Sequence, residues 1–325
     1  MSEFHRLPQF VIAGAPKAGT TALHAALATH PGLYLSPVKE PKYYLTDGRP
    51  PPLNRQRGPG DAHSAREWMW RREEYLHLFD GAPAGTVRGE STPFYLYDRD
   101  AHARLAADVP GIKVIVVVRD PVDRVISNFV HLRADGLEPE PDFITAVRLE
   151  EARIAAGWAP FWHYRGLSRY GAQLRDLYRH VPRKNVFLLR YRQLVDSPRQ
   201  TLDRVSDFLG VEQGVAHTVD PENVKPFVAD GRGYRLLSRA VRAGAALGAY
   251  APPQVWRQAS RPLLAALHAR AVQRPALPVD VRREVLEPLV PDIELLEELT
   301  GESFDDWKGD TGRGHFSSRR QSASS

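Results

Sequence analysis

The chain has 325 residues, 42% apolar and 26% charged, an ordinary globular mixture that excludes disorder as the main state and leaves room for one large domain or two modest ones. Its net charge of +5 suits an anionic ligand without demanding nucleic acid, and the lack of cysteine excludes disulfides, thiolate metal sites and cysteine nucleophiles. No apolar run reaches the ~18 residues of a membrane span, and Met1 to Pro8 lacks a basic-then-apolar leader pattern, so a soluble, cytoplasmic protein is expected.

Strand and helix signals alternate along the chain. Gln9 to Ala13 is a short apolar run ending at Gly14 and reads as a buried strand, and Thr20 to Thr29 has helical composition. Asp47 to Gly60, crowded with Pro, Gly and Arg, reads as a surface loop. Lys113 to Val118 (KVIVVV) is continuous and β-branched, as in a parallel strand covered on both faces. Asp120-Pro121 then reads as an N-cap with Pro in the first turn of a helix reaching about His131. Asn185 to Arg190 is another strand, and Ser197-Pro198 reads as the cap and first turn of a helix ending at Leu209 before Gly210.

Gly231 to Leu277, rich in Ala and Arg, reads first as an amphipathic cover over the core and only second as a membrane-surface element. A last helix is expected over roughly Val281 to Leu299, stopping at Gly301, and the tail from Gly309 to Ser325 is expected to be disordered. The whole reads as one domain over 1–308. Its expected class is α/β, a P-loop-like three-layer fold with a central parallel sheet flanked by helices and a helical C-terminal cover.

Two segments carry chemistry. Gly14-Ala15-Pro16-Lys17-Ala18-Gly19-Thr20-Thr21 lies between a strand and a helix. Its glycines permit a tight turn that gathers N–H groups, the helix N-terminus adds about half a positive charge, and Lys17, Thr20 and Thr21 add a cation and hydroxyls. Together they form a nest for a terminal phosphate or sulfate. The spacing departs from the Gly-Lys-Ser/Thr ending of nucleotide hydrolases, because the lysine lies inside the loop and Gly19 is followed by Thr20-Thr21. Such a lysine can neutralise a leaving group without a metal. Arg119, at the end of the clearest strand, and Ser127, eight residues on, form a second anion site, unless Arg119 is taken up by Asp120 or Asp123. Two anion sites at neighbouring strand ends imply a nucleotide with phosphates at both ends of its nucleoside.

These segments resemble the sulfotransferases that use 3′-phosphoadenosine 5′-phosphosulfate, most closely the heparan-sulfate-type branch and its bacterial relatives. The resemblance runs from about Phe10 to Trp307. It continues through Lys39-Glu40-Pro41-Lys42-Tyr43-Tyr44, Gly89-Glu90-Ser91-Thr92-Pro93, Tyr170-Gly171-Ala172-Gln173-Leu174, Leu189-Arg190-Tyr191 and Gly301-Glu302-Ser303-Phe304. It implies that the Lys17 loop holds the 5′-phosphosulfate, that Arg119 and Ser127 hold the 3′-phosphate, and that Tyr191 lies near the adenine. It also implies that Glu40 is the base, that 3′,5′-bisphosphoadenosine is the product and that no metal is needed. The chain departs from the heparan-type pattern at Ser91, where many members carry Lys; Lys39 and Lys42 are candidates to supply that charge. No Lys-Gly-Arg stretch lies late in the chain to close over the cofactor; Gly231-Arg232-Gly233 and the Arg270 to Arg274 region are the candidate substitutes.

An alcohol must lose a proton as it attacks sulfur, and a carboxylate within reach is worth ~10²–10⁴-fold in rate. Glu40, flanked by Lys39 and Lys42, fits that need. Glu90 either lines the pocket or holds its loop. Histidine is the other candidate base, with His24, His30 and His131 near the motifs, although most of the 12 histidines read as core or surface. The expected function is sulfuryl transfer to a hydroxyl of a carbohydrate, glycolipid or secondary metabolite, with no nucleic-acid partner. The rivals are an ATP-dependent small-molecule kinase and a non-enzymatic nucleotide-binding module. The Ala-, Arg- and Pro-rich composition points to a bacterial source.

Overall fold

The computed structural model describes residues 6–51, 58–59, 67–216, 218–219, 227–228, 230–248, 253–269, 271–272 and 276–309. The expected disordered tail beyond Gly309 and most of the Pro-rich stretch after Pro51 lie outside them.

Five strands, β1 (Phe10–Gly14), β2 (Leu33–Leu35), β3 (Val87–Ser91), β4 (Lys113–Val118) and β5 (Val186–Arg190), form one parallel sheet in the order β2-β3-β1-β4-β5. Parallel strands need a crossover, which places helices on both faces and lets the central strands be wholly apolar. Accordingly β1 is buried throughout, as is β4 after Lys113. Their pairing sets Val11 beside both Glu90 and Val114. All five strands run the same way, so their C-terminal ends lie along one edge. That edge receives the Lys17 loop from β1, Lys39 to Lys42 from beyond β2, Glu90 to Thr92 from β3, Arg119 from β4 and Tyr191 from β5. This is the edge at which open α/β sheets bind ligands.

The helices that position the site are α1 (Thr20–Ala28), α2 (Arg99–Asp108), α3 (Pro121–Ala134), α4 (Tyr170–Leu177) and α5 (Pro198–Leu209). The Asp120 cap is present: its carboxylate accepts from the N–H groups of Val122 at 2.9 Å and Asp123 at 3.0 Å, with Pro121 in the first turn. Helix α3 extends one turn further than expected, to Ala134. The Ser197 hydroxyl makes no capping bond, although α5 does end at Gly210 in the left-handed conformation. The motif beginning at Tyr170 is explained by packing: the Asp292 carboxylate accepts from the N–H groups of Gly171 at 2.8 Å and Ala172 at 2.9 Å.

C-terminally, α6 (Arg232–Gly248) and α7 (Pro253–His268) form a helical pair with a small core of its own, Val228, Tyr234, Val241 and Leu267. The pair is moored to the end of α3 by the Tyr234 hydroxyl, which donates to the Arg133 carbonyl at 2.8 Å. The expected single helix over Val281 to Leu299 is instead α8 (Val279–Leu286), a 3-10 turn over Glu287–Leu289, and α9 (Val290–Thr300). Pro288 and Pro291 each lack an N–H and crowd the preceding turn, and the helix breaks there.

Candidate active site

The β1 loop is built around one sharp approach. Gly19 has φ +96°, and a Cβ there would lie 2.6 Å from the Tyr191 ring. Leu23 N–H bonds back to the Gly19 carbonyl at 3.1 Å, so the first-turn N–H groups of α1 point into the loop, with no side-chain cap and no acidic residue in that turn. Gly19→Ala is expected to cost about 1–3 kcal/mol in urea denaturation. Gly231→Ala, where a Cβ would meet nothing within 4 Å, should be nearly neutral. Equal behaviour of the two variants would contradict this geometry.

Lys17 sits at φ +67°, and its Nζ lies 3.2 Å from His131 Nδ1. Arg119 NH1 donates to the Lys17 carbonyl at 3.3 Å, and the Arg119 guanidinium lies 4.8 Å from the centre of the Tyr191 ring. Lys17, Gly19, Arg119 and Tyr191 thus form one contiguous group. The competing partners foreseen for Arg119 are engaged elsewhere, since Arg282 binds Asp120 at 2.6 Å and approaches Asp123 at 4.0 Å. Ser127 lies half-buried on α3, with no hydrogen bond to Arg119 among the described residues. The second arginine of the segment, Arg124, is structural: fully buried, it donates to Ser168 Oγ at 2.6 Å, to Asn128 Oδ1 at 3.1 Å and to the Tyr164 carbonyl.

Glu40 lies on the turn beyond β2 at φ +60°, with its N–H bonded to the Ser91 carbonyl at 2.9 Å. Lys39 Nζ contacts its Oε1 at 2.7 Å. Burial pushes the Glu40 carboxyl up, but the charges of Lys39, Lys42 and His131 outweigh it and hold the group below the usual carboxylate range. Lys42, at φ +61°, lies 5.7 Å above the Trp68 ring. At Ser91 the missing lysine leaves a buried hydroxyl without a hydrogen-bond partner.

Glu90 proves to be a buried anchor of this turn. Thr92 Oγ1 donates to its Oε2 at 2.9 Å and accepts from the Lys42 N–H at 3.3 Å, while the Tyr95 hydroxyl accepts from the Tyr44 N–H at 3.3 Å. Burial raises the Glu90 carboxyl to about 7 against the pull of the surrounding hydroxyls of Tyr95, Thr92 and Tyr75. A carboxyl raised on folding holds its proton where the unfolded chain has lost it, so the fold loses stability as pH rises through that window. Glu90→Gln should therefore gain in melting temperature relative to wild type between about pH 5 and pH 8. A difference independent of pH would refute the assignment.

Of the histidines near the motifs, His131 is the one that meets Lys17. Besides Lys17 it meets Asp135, with Nε2 at 3.4 Å from Oδ2, and it packs edge-on to Phe161. Its field also reaches Glu40. Its one-turn spacing from Ser127 on α3 was the available signal. Of the aromatic residues around this turn, Tyr44 and Tyr95 are core. Tyr43 stacks on Tyr75 at 4.2 Å, and Phe94 packs against Phe161.

With this geometry in view, residues 8–214 match the model of the sulfotransferase family. The chain belongs to that family. Human heparan sulfate glucosamine 3-O-sulfotransferase 3B1 is 31% identical over 209 residues, covering 64% of this chain and 47% of that protein. Human bifunctional heparan sulfate N-deacetylase/N-sulfotransferase 3 is 26% identical over 222 residues, 63% of this chain and 22% of that protein. The chain thus spans about half the length, or less, of these curated relatives. A solved sulfotransferase from Alicyclobacillus acidocaldarius is 25% identical with a TM-score of 0.71, covering 93% of this chain and 99% of its own. The expected family and the P-loop-like fold are both borne out by these matches.

Proposed function

We propose that the protein moves a sulfuryl group from 3′-phosphoadenosine 5′-phosphosulfate to a hydroxyl of a carbohydrate, glycolipid or secondary metabolite. The observation that carries this reading is backbone strain. Among the described residues the non-glycine positions at positive φ are Lys17, Glu40 and Lys42, and all three lie on the site edge of the sheet. Strain of this kind costs about 1–3 kcal/mol per residue and persists where surrounding structure holds a functional group in place.

The residues fit the donor. The uncapped start of α1, with Lys17, Thr20 and Thr21, suits the 5′-phosphosulfate, and the backbone of Ala15, Pro16, Ala18 and Gly19 shapes the turn around it. Arg119, with its acidic neighbours diverted to Arg282, and Ser127 suit the 3′-phosphate. Tyr191 offers a ring face for the adenine. The acceptor oxygen bonds to sulfur as the bond from sulfur to the 5′-phosphate oxygen breaks. Glu40 takes the acceptor proton, and Lys17 with the loop N–H groups stabilises the charge left on the phosphate.

The heparan sulfate named in the curated relatives favours a carbohydrate among the three acceptor classes. The kinase reading is disfavoured by Thr20 standing where a phosphate-loop lysine would follow Gly19. The test is labelled-sulfate transfer from the donor to cell-extract metabolites in the presence of a chelator, with products read by mass. Transfer that persists is expected. Phosphoryl transfer from ATP that the chelator abolishes, without sulfate transfer, would overturn the reading.

A further inference from the structure

From Gly231 to Val279 the sequence holds eight arginines and no Asp, Glu or Lys. Most of this stretch is α6 and α7, beyond the residues 8–214 that match the family. The apolar side of α6 is already used: Tyr234, Ser238, Val241 and Ala245, each no more than 3% exposed, face the protein. Arg133 lies 3.8 Å from the centre of the Tyr234 ring, and Arg242 donates to the Gly136 carbonyl at 3.0 Å. That face is therefore closed to any other partner.

The opposite face is different in kind. Arg232, Arg235, Leu236 and Arg239 fall within an arc of about 100° of helix and are all exposed. Arg235 pairs with Asp230 at 3.1 Å, whereas Arg232 and Arg239 make no ion pair among the described residues. Leu236, one position after Arg235 and three before Arg239, is 71% exposed, the most exposed large apolar side chain among the described residues. Arginines alone would suit any polyanion. A bare leucine in their midst is surplus to a soluble polyanion but suited to the boundary between headgroups and acyl chains.

We propose that the outward face of α6 docks the protein on an anionic lipid bilayer, with the guanidinium groups on the headgroup phosphates and Leu236 entering the acyl boundary. The contact is peripheral, since no helix among the described residues is long and apolar enough to cross a membrane. A basic side chain near an anionic bilayer contributes about fivefold in partitioning, and salt screens it.

The test is co-sedimentation of the full chain with vesicles of phosphatidylcholine alone and of phosphatidylcholine mixed with phosphatidylglycerol. Binding to the mixed vesicles only, weakened by salt, is expected. Arg232→Gln with Arg239→Gln should lower it about 25-fold, while the double Lys variant, which keeps the charge and shares any fault of folding at these positions, should retain it. Leu236→Ser should lower it about tenfold or more and leave binding to soluble polyphosphate unchanged. Equal partitioning to both vesicle types, no sedimentation, or a Leu236→Ser variant that sediments like wild type would overturn the proposal. The readout does not depend on turnover, so it stands or falls apart from the sulfotransferase reading.

Discussion

Glu40→Gln should lower kcat by ~10²–10⁴-fold and leave the affinity for 3′,5′-bisphosphoadenosine unchanged. The amide keeps the size and one acceptor of the carboxylate but cannot take a proton. The Glu40 turn is held from behind, by its own N–H on the Ser91 carbonyl and by the Lys42 N–H on Thr92, so the change should not release it. A pH profile separates a chemical role from a structural one. The working form is the carboxylate, and its neighbours hold its pKa below the ordinary range. The acid limb of kcat/KM should therefore fall beneath the usual carboxylate value, with full rate above it. Lys39→Met removes the cation at 2.7 Å and should move that limb upward. Wild-type turnover in Glu40→Gln, or a limb that Lys39→Met leaves in place, would remove Glu40 from the mechanism.

Lys17→Ala should lower kcat by ~10²–10³-fold, the usual loss when one preorganised donor to a developing anion is deleted. Its Nζ is preset by the 3.2 Å approach to His131 and by a left-handed backbone that few residues adopt. The affinity for the acceptor should change little, because the charge that Lys17 meets grows as the sulfur–oxygen bond breaks. Steady-state kinetics with acceptor varied at saturating donor checks this. A large rise in the acceptor KM with kcat intact would assign Lys17 to acceptor binding instead.

The parts of the fold that announced themselves were those whose local chemistry and tertiary setting agree. Lys113 to Val118 is apolar because helices cover both its faces, and Asp120-Pro121 caps α3 by its own side chain. Strand β3 was hidden because Glu90 and Ser91 put polar side chains in the core, where the hydroxyls of Tyr75, from another element, and of nearby Thr92 satisfy the carboxyl. Strand β2 is only three residues long, too short for any alternation to register. The break at Pro288 and Pro291 was written in the sequence, and the periodic apolar residues around it masked it. In the site, the Lys17 loop, Glu40, Arg119 and Tyr191 could be named from motifs. The contact of His131 with Lys17 and the diversion of Asp120 to Arg282 join residues more than a hundred apart in sequence, and no local pattern encodes such pairings.

The most direct measurement is calorimetric titration of adenosine 3′,5′-bisphosphate into the wild-type protein and into a Lys17→Ala, Arg119→Ala double variant. Two charge-assisted contacts are worth about 1.5–3 kcal/mol each, so tight wild-type binding should weaken by about a hundredfold or more in the double variant. A wild-type protein that fails to bind the nucleotide, or a double variant that binds it equally well, would contradict the account.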